Sequence, residues 1–553
     1  MPKLPVICLT ILLSVVVSTA AFGQPLRAPG KHQKLETAQG PQDPDIGTDP
    51  SESDAILIRE IIIEGNTVVD TPTLEKIVTP YLNTELTIED MGALTDLVTM
   101  AYQDAGYLLA RAFLPEQEIA NGILKITIAE GRIGQILVQG QTHYHERVIK
   151  RYFKQQEAHS VISEAMLEKG LLLTNETPNL KTNIILKEGA EPGEVDVILN
   201  TADESNLTFA TEVGLDYNNF GADLVSKNRY GATVRITDHF FGSTTTLRGV
   251  TGDDFEDSTL GIIDFAAPIN RYGTKLSFYY LKSNYVVGQQ LADLGLEGWS
   301  EYYGTKIYHP LIKKKNKNLG LTLGYDHKFS KNLLFDEDYS ADDIDVFHAT
   351  LNFDNVDRFL GKNIISLSGY AGKINFDDEL PTSRGYENSF DDDNFYRVLL
   401  HAARIQKIRG HTILMLRASG QYSDQRLVAM EMFGIGGYGT VRGYNTSLFL
   451  GDSGLNLSGE LMFAPPFAAN ETLFKQRVSQ LVQLAIFYDH GQVKNNTVIP
   501  GEYGSRSLSG CGAGIRLYYK DIFTFKYDFG YALENIEGEP DYVNYFLVSL
   551  NFS

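Results

Sequence analysis

From residue 205 onward the chain alternates between apolar and polar positions. Leu319 to Tyr325 reads Leu-Gly-Leu-Thr-Leu-Gly-Tyr. From Phe523 to Tyr531 every odd position is aromatic, and Thr, Lys, Asp and Gly fill the even ones. Successive side chains of a strand point to opposite faces, so such a run has one apolar side and one polar or small side. Cys511, Ala513, Ile515, Leu517 and Tyr519 make another apolar row, with Arg516 and Lys520 on the other side. Leu455, Leu457, Leu461 and Phe463 do the same, backed by Asn456, Ser458 and Glu460. Apolar faces toward lipid and polar faces toward a wet lumen mark a transmembrane β-barrel. Polar inward positions such as Glu460, Lys526 and Asp528 are expected to keep that path wet. Sixteen candidate strands begin near Leu207, Tyr230, Thr244, Leu260, Lys275, Glu301, Leu319, Asp345, Asn363, Phe395, Thr412, Leu455, Gln483, Gly510, Phe523 and Tyr545. The even count suits closure with both ends on one side of the membrane.

Before residue 205 the periodicity is different. Ile56 to Glu64 reads as a strand, and Thr71-Pro72 as the N-cap and first position of a helix carrying Leu74, Ile77, Val78, Tyr81 and Leu82. Thr87 opens a second helix with Leu94, Leu97, Val98, Ala101 and Tyr102 on one face, and Gly106-Tyr107 ends it. Ala110 to Phe113 and Ile123 to Glu130 read as strands. The pattern then repeats. Ile133 to Val138 is a strand, His145 to Phe153 a helix, and Ser163 caps another helix. Lys181 to Lys187 and Val195 to Thr201 are strands around a Gly189–Gly193 turn. The order strand-helix-helix-strand-strand resembles a POTRA domain, the periplasmic polypeptide-transport module. The expected domains are therefore 55–131 and 132–204, followed by a barrel over 205–553. Ahead of them, residues 24–54 are rich in Pro, Gly, Asp, Gln and Ser and read as a flexible linker. Lys3, the apolar run Val6 to Val17 and the small residues near Ala21-Phe22-Gly23 read as a signal peptide over 1–23. The fold class is thus mainly β, an antiparallel barrel of about sixteen strands preceded by two small α/β periplasmic domains.

Composition sharpens this in three places. A net charge of −22 argues against a nucleic-acid partner, which wants a basic surface. Tyr 30 and Phe 29 against Trp 1 suit Tyr/Phe girdles at the barrel rims. Of two cysteines, Cys8 falls in the signal peptide, so Cys511 has no partner for an internal disulfide.

One stretch stands apart from the alternation. Gly436-Gly437-Tyr438-Gly439-Thr440-Val441-Arg442-Gly443-Tyr444 places a single arginine among glycines. Gly451-Asp452-Ser453-Gly454 follows, then a strand ending at Pro465-Pro466, then Phe487-Tyr488-Asp489-His490-Gly491. Phe487, Asp489 and Gly491 share one strand face, and an ionised Asp is costly toward lipid, so that face is the lumenal one. Arginine offers a planar fork that a carboxylate accepts with both oxygens. This set resembles the two-partner secretion transporters, the TpsB family of haemolysin secretion/activation barrels (ShlB/FhaC-like, within the POTRA-plus-barrel superfamily). The resemblance implies that Val441-Arg442-Gly443-Tyr444 folds back into the lumen after the eleventh strand, and that Arg442 pairs with Asp489 of the Phe487-x-Asp489-x-Gly491 strand. It implies an outer-membrane protein with its N-terminal domains in the periplasm, needing no cofactor and no metal. Its expected partners are an unfolded secreted exoprotein (TpsA-like), outer-membrane lipid and the barrel-assembly machinery. Phe546, Val548, Leu550 and Phe552 of the last segment resemble the C-terminal signal read by that machinery, although Ser553 follows the final aromatic. Some family members thread a plug helix where 24–54 stands here, and Leu26 and Leu35 are too sparse to mark a convincing one, so the sequence leaves the plug open.

Other constellations carry less. Lys313-Lys314-Lys315-Asn316-Lys317 is expected as a short periplasmic turn, and Asp336-Glu337-Asp338 and Asp391-Asp392-Asp393 as solvated outer loops lacking the ligand spacing of a calcium loop. Asp489-His490 is a poor hydrolase pair, since adjacent strand residues face opposite sides and no Gly-x-Ser-x-Gly elbow exists. His143 and His145 lack companions at zinc spacing. Three rival readings remain. An insertion factor of the same superfamily usually carries more periplasmic modules, a passive porin-like channel needs none, and a barrel hydrolase would show activity in detergent.

Overall fold

The computed structural model describes residues 55–153, 160–203, 210–254, 258–288, 292–293, 295–466, 469, 471–499 and 501–552. The expected signal peptide and linker lie outside them, as does Ser553. The chain divides into two compact units, an α/β unit and a barrel unit.

The α/β unit begins with β1 (Ile56–Ile58) and β2 (Glu60–Glu64), followed by a helix Thr71–Val78, β3 (Thr84–Leu86), a helix Ile88–Asp104, β4 (Arg111–Phe113) and β5 (Ile123–Ala129). The expected single strand over Ile56–Glu64 is split, because the Arg59 amide turns to donate to the Gly122 carbonyl at 2.8 Å. β1 then pairs with β3, while β2 joins β5 and β4 in a three-stranded sheet. Asp70, not Thr71, is the N-cap of the first helix. Thr87 caps the second as expected, accepting from the Asp90 amide while Asp90 accepts from its own. Leu94, Val98 and Tyr102 are fully buried at helical spacing against Leu124 and Ile126, whereas Leu97 is exposed. A second motif repeats the plan with β6 (Arg132–Gln141), helices Glu146–Lys150 and Glu164–Thr174, β7 (Leu180–Glu188) and β8 (Glu194–Asp203). Its sheet runs β6-β8-β7, with β6 parallel to β8.

The barrel unit contains β9 (Ala210–Asn218), β10 (Arg229–Thr237), β11 (Thr244–Thr251), β12 (Ser258–Pro268), β13 (Lys275–Val286), β14 (Glu297–Lys314), β15 (Lys317–Leu334), β16 (Glu337–Val356), β17 (Lys362–Ile374), β18 (Asn394–Arg409) and β19 (Thr412–Tyr422). Two short strands, β20 (Phe433–Ile435) and β21 (Phe449–Gly451), pair with each other. Then come β22 (Ser453–Phe463), a two-residue hairpin of β23 (Thr472–Leu473) and β24 (Gln476–Arg477), and the last four wall strands: β25 (Val482–Lys494), β26 (Ser505–Tyr519), β27 (Phe523–Ala532) and β28 (Tyr542–Phe552). Sixteen of these close into an antiparallel barrel, the seam being β28 on β9 from Leu547↔Asn218 to Phe552↔Val213. Every expected strand start that falls on described residues lies in or beside one of the sixteen, while the first, Leu207, lies outside them. The largest offset is at β16, which begins eight residues before Asp345. There Phe335 and Asp336 form a two-residue turn with positive φ, and the stretch Glu337 to Asp343 is dominated by four acidic residues, with only Tyr339 and Ala341 to mark an apolar side.

The wall alternates as its sequence does. Ile486 and Tyr488 are exposed on the outside of β25, while Phe487 and Asp489 are buried inside. Between β19 and β22 the chain does not cross directly. Residues 423–452 make a long excursion whose Ile435, Val441 and Tyr444 are fully buried together with wall residues Val493 and Leu508. Those partners point inward, so the excursion occupies the lumen.

Candidate functional site

The lumenal loop is held at three levels, and the tip is the most closely fitted. Arg442 donates from Nε to Asp489 Oδ2 at 2.7 Å and from Nη2 to Asp489 Oδ1 at 3.0 Å, a two-pronged pair. The Arg442 amide reaches the same carboxylate at 3.2 Å. Nη1 donates to Glu460 Oε2 at 2.9 Å and lies 3.5 Å from Asp528 Oδ2. The guanidinium stacks 3.3 Å above the Phe487 ring centroid, where the ring's negative face meets the cation. Arg516 completes the set, bonding Glu460 at 2.9 Å and Asp528 at 3.0 Å. Two arginines and three carboxylates thus share one buried cluster. Arg442 is only 2 % exposed, and Asp489 and Asp528 are fully buried. In so dry a place each charge depends on its partners, because an unpaired buried ion is strongly destabilising.

The loop reaches this depth because the wall has no side chains in its way. A Cβ on Gly510 of β26 would stand 1.9 Å from the Arg442 carbonyl oxygen. One on Gly530 of β27 would stand 2.6 Å from the Gly443 nitrogen, and one on Gly491 of β25 would meet Val441 at 2.8 Å. Gly443 itself has φ +108 and lies against the Tyr531 backbone, so no other residue fits there without strain. Its amide donates to the Tyr545 hydroxyl at 3.1 Å, and that hydroxyl donates to the Tyr444 carbonyl at 2.7 Å. The Tyr444 hydroxyl donates to the Ser509 carbonyl at 2.9 Å. Val441, Arg442, Gly443 and Tyr444 therefore meet Phe487, Asp489 and Gly491 in one place. Phe546, Val548, Leu550 and Phe552 lie elsewhere, along the outward side of β28, within and beside the closing seam.

The middle and the roots of the loop were not singled out as sites from sequence. Glu431 is buried between Lys328 of β15 and Arg397 of β18, at 2.6 Å from each. At the roots, Asp452 of the Gly451–Gly454 run is fully buried and accepts from Arg384 and from the Leu427 amide at 2.9 Å. Glu502 takes Arg384 at 3.1 Å and Arg426 at 2.9 Å. These residues come from three outer loops, 375–393, 423–452 and 495–504, and no local motif links them. One expectation needs correcting. Glu460 and Asp528 do not line an open path, since both are buried beneath the loop tip and paired with Arg442 and Arg516. His490 turns away from Asp489 and pairs with Ser509 Oγ at 2.9 Å on the other side of the strand, as alternation requires.

Comparisons with known proteins identify the family and the fold. A family described as haemolysin secretion/activation protein ShlB/FhaC/HecB matches residues 193–517, and a ShlB-type POTRA domain matches residues 56–131. The outer membrane transporter CdiB of Escherichia coli O6:K15:H31 (strain 536 / UPEC) is 25 % identical over 485 residues, 84 % of this chain and 77 % of that protein. The heme/hemopexin transporter protein HuxB of Haemophilus influenzae (strain ATCC 51907 / DSM 11121 / KW20 / Rd) is 24 % identical over 470 residues, covering 83 % and 80 %. Among solved structures, CdiB from Escherichia coli superposes with a TM-score of 0.76 at 21 % identity, covering 93 % of each chain.

Proposed function

The chain belongs to the haemolysin secretion/activation family ShlB/FhaC/HecB, and from that premise we propose that its lumenal loop, seated by Arg442, is the gate of an exoprotein pore. The protein is an outer-membrane transporter with POTRA domains in the periplasm. Through those domains it recognises an unfolded exoprotein and passes it through the barrel to the cell surface. The short sheets of the α/β unit have free edge strands, and an extended, β-prone client adds to such an edge by main-chain pairing. Side-chain pockets then select among clients.

The observation that carries the gate is the burial of Arg442 in a cluster of five ionised groups in the lumen. A translocating chain needs the volume that the loop now fills. The Arg442–Asp489 pair sets the cost of vacating it, and the bare glycine wall gives the loop a single seat to return to. Lipid covers the outward aromatic rows. The outward residues Phe546, Val548, Leu550 and Phe552 present the last strand to the assembly machinery before the seam closes. Arg442→Ala should leave the barrel inserted and sharply lower export of the client. Unchanged secretion at a normal barrel level would refute the assignment.

A further inference from the structure

Seven turns join the wall strands at the end where β9 begins, which is the periplasmic end: 238–243, 269–274, 315–316, 357–361, 410–411, 464–481 and 520–522. Such turns are usually polar. Here Phe240, Tyr272, Phe359, Ile408, Phe474 and Ile522 each stand exposed in or beside a different one of them. Exposed cations accompany them in sequence: Arg271, Lys314, Arg358, Arg409, Lys475 and Lys520. In places the two are in contact. Arg271 lies 5.3 Å from the Tyr272 ring, Arg358 4.8 Å from Phe359 and Lys520 5.5 Å from Tyr519.

The opposite end has the opposite sign. Its loops carry Asp336-Glu337-Asp338, Asp377-Asp378-Glu379, Asp391-Asp392-Asp393 and the acidic stretch 534–541. Charge is therefore unevenly placed along the barrel axis, acidic at the outer loops and more basic at the periplasmic turns. The collar also belongs to the outside of the wall. Tyr519 continues the outward row of Ala513, Ile515 and Leu517 on β26, and Phe474 of the β23–β24 hairpin packs edge-on against it at 6.0 Å. Aromatic rings at a membrane edge settle at headgroup level, and cations beside them meet phosphate.

We propose that these turns form a basic–aromatic collar that binds the phosphate headgroups of anionic phospholipid in the periplasm-facing leaflet. The rings hold the collar at the depth of the glycerol backbone, and the guanidinium and ammonium groups draw phosphatidylglycerol in preference to zwitterionic lipid. A cationic rim at the pore mouth would otherwise suit an acidic polypeptide. The outward row at Tyr519 and its hairpin favour lipid.

The test uses the full chain reconstituted in mixed phosphatidylethanolamine and phosphatidylglycerol vesicles, then extracted in mild detergent, with retained lipid measured by mass spectrometry. The wild type should hold phosphatidylglycerol at least about threefold above its bulk share, each surface cation adding to the attraction. The combined variant Lys314→Gln, Arg358→Gln, Arg409→Gln, Lys475→Gln and Lys520→Gln should fall to the bulk share while keeping the heat-modifiable mobility of a folded barrel. Should that variant not fold, the wild type at about 1 M salt, where the Debye length is about 3 Å, should lose the enrichment instead. No enrichment, enrichment that survives both treatments, or retention of lipopolysaccharide in its place would overturn the proposal. So would tight binding of polyglutamate with no lipid preference.

Discussion

Gly510→Ala tests the seat of the loop without altering any charge. The added methyl carbon would stand 1.9 Å from the Arg442 carbonyl oxygen, against an ordinary contact of about 3.5 Å. Something must move by an ångström or more. The strand is poorly placed to do so, because Gly510 is paired on both sides, with Asp489 of β25 and Ala532 of β27. The loop tip therefore yields. Arg442 holds Asp489 at 2.7 and 3.0 Å, and a shift of that size carries both bonds out of range. Breaking a buried pair costs about 3–5 kcal/mol, since one charge is left dry and alone. The ratio of seated to unseated loop should then fall by about a hundredfold to several thousandfold. Planar-bilayer conductance of the reconstituted full chain reads this directly, as longer and more frequent open events. Gly369→Ala is the matched control, because Gly369 has no heavy atom near its would-be Cβ. A folded Gly510→Ala barrel with wild-type conductance would refute both the seating geometry and the gate built on it.

The other expectations concern the roots of the loop, the α/β unit and the last strand. Glu502→Gln removes the shared counterion of Arg384 and Arg426, both buried. The outer loops should loosen by about 3–5 kcal/mol and become sensitive to added trypsin, while the Arg442 cluster stays intact. Burial pushes the Glu130 carboxyl up, but hydrogen bonds from Thr67, Val68 and Tyr102 outweigh it and hold the group below its ordinary 4.5. Its contribution is therefore complete above the unfolded value and is lost as pH falls through the lower folded one. Amide exchange at Thr67 and Val68 should accelerate below about pH 4.5, and Glu130→Ala should reproduce that at neutral pH with a loss of about 2–3 kcal/mol. Phe546→Ala combined with Phe552→Ala should lower the amount of heat-modifiable barrel in the membrane fraction, with the transcript unchanged.

The wall was legible because lipid and lumen impose a period of two on every crossing strand, and that period is written one residue at a time. Where the constraint lapses, so does the signal. β16 begins eight residues before Asp345, held there by its ladder to β15 and by bonds from the 375–393 loop, such as the Ala341 amide to the Pro381 carbonyl at 2.9 Å. The Phe335-Asp336 turn carries no glycine to announce it. In the α/β unit the core faces of the helices were readable from spacing at Leu94, Val98 and Tyr102. The break at Arg59 was not, because it depends on a carbonyl at Gly122, far along the chain.

The site divides in the same way. Arg442 and Asp489 could be paired from sequence because each sits in its own short motif and family resemblance joins them. Glu460, Arg516 and Asp528 each read as an inward polar residue and no more. Only closure of the barrel brings β22, β26 and β27 around one loop tip, and it turns three separate wet positions into counterions. Arg384, Arg426 and Glu502 were less visible still, since outer loops have no period, and Asp452 stood in a quoted run with nothing to name its partners. Yet their burial has a consequence for the gate. A loop fixed only at its tip would need one ion pair to break. This loop is fixed again at Glu431 and again at its roots. If the loop is the gate proposed above, its tip would leave the glycine seat while the roots stayed closed, and clearing the lumen and opening the outer mouth would be separable steps with separate sets of arginines.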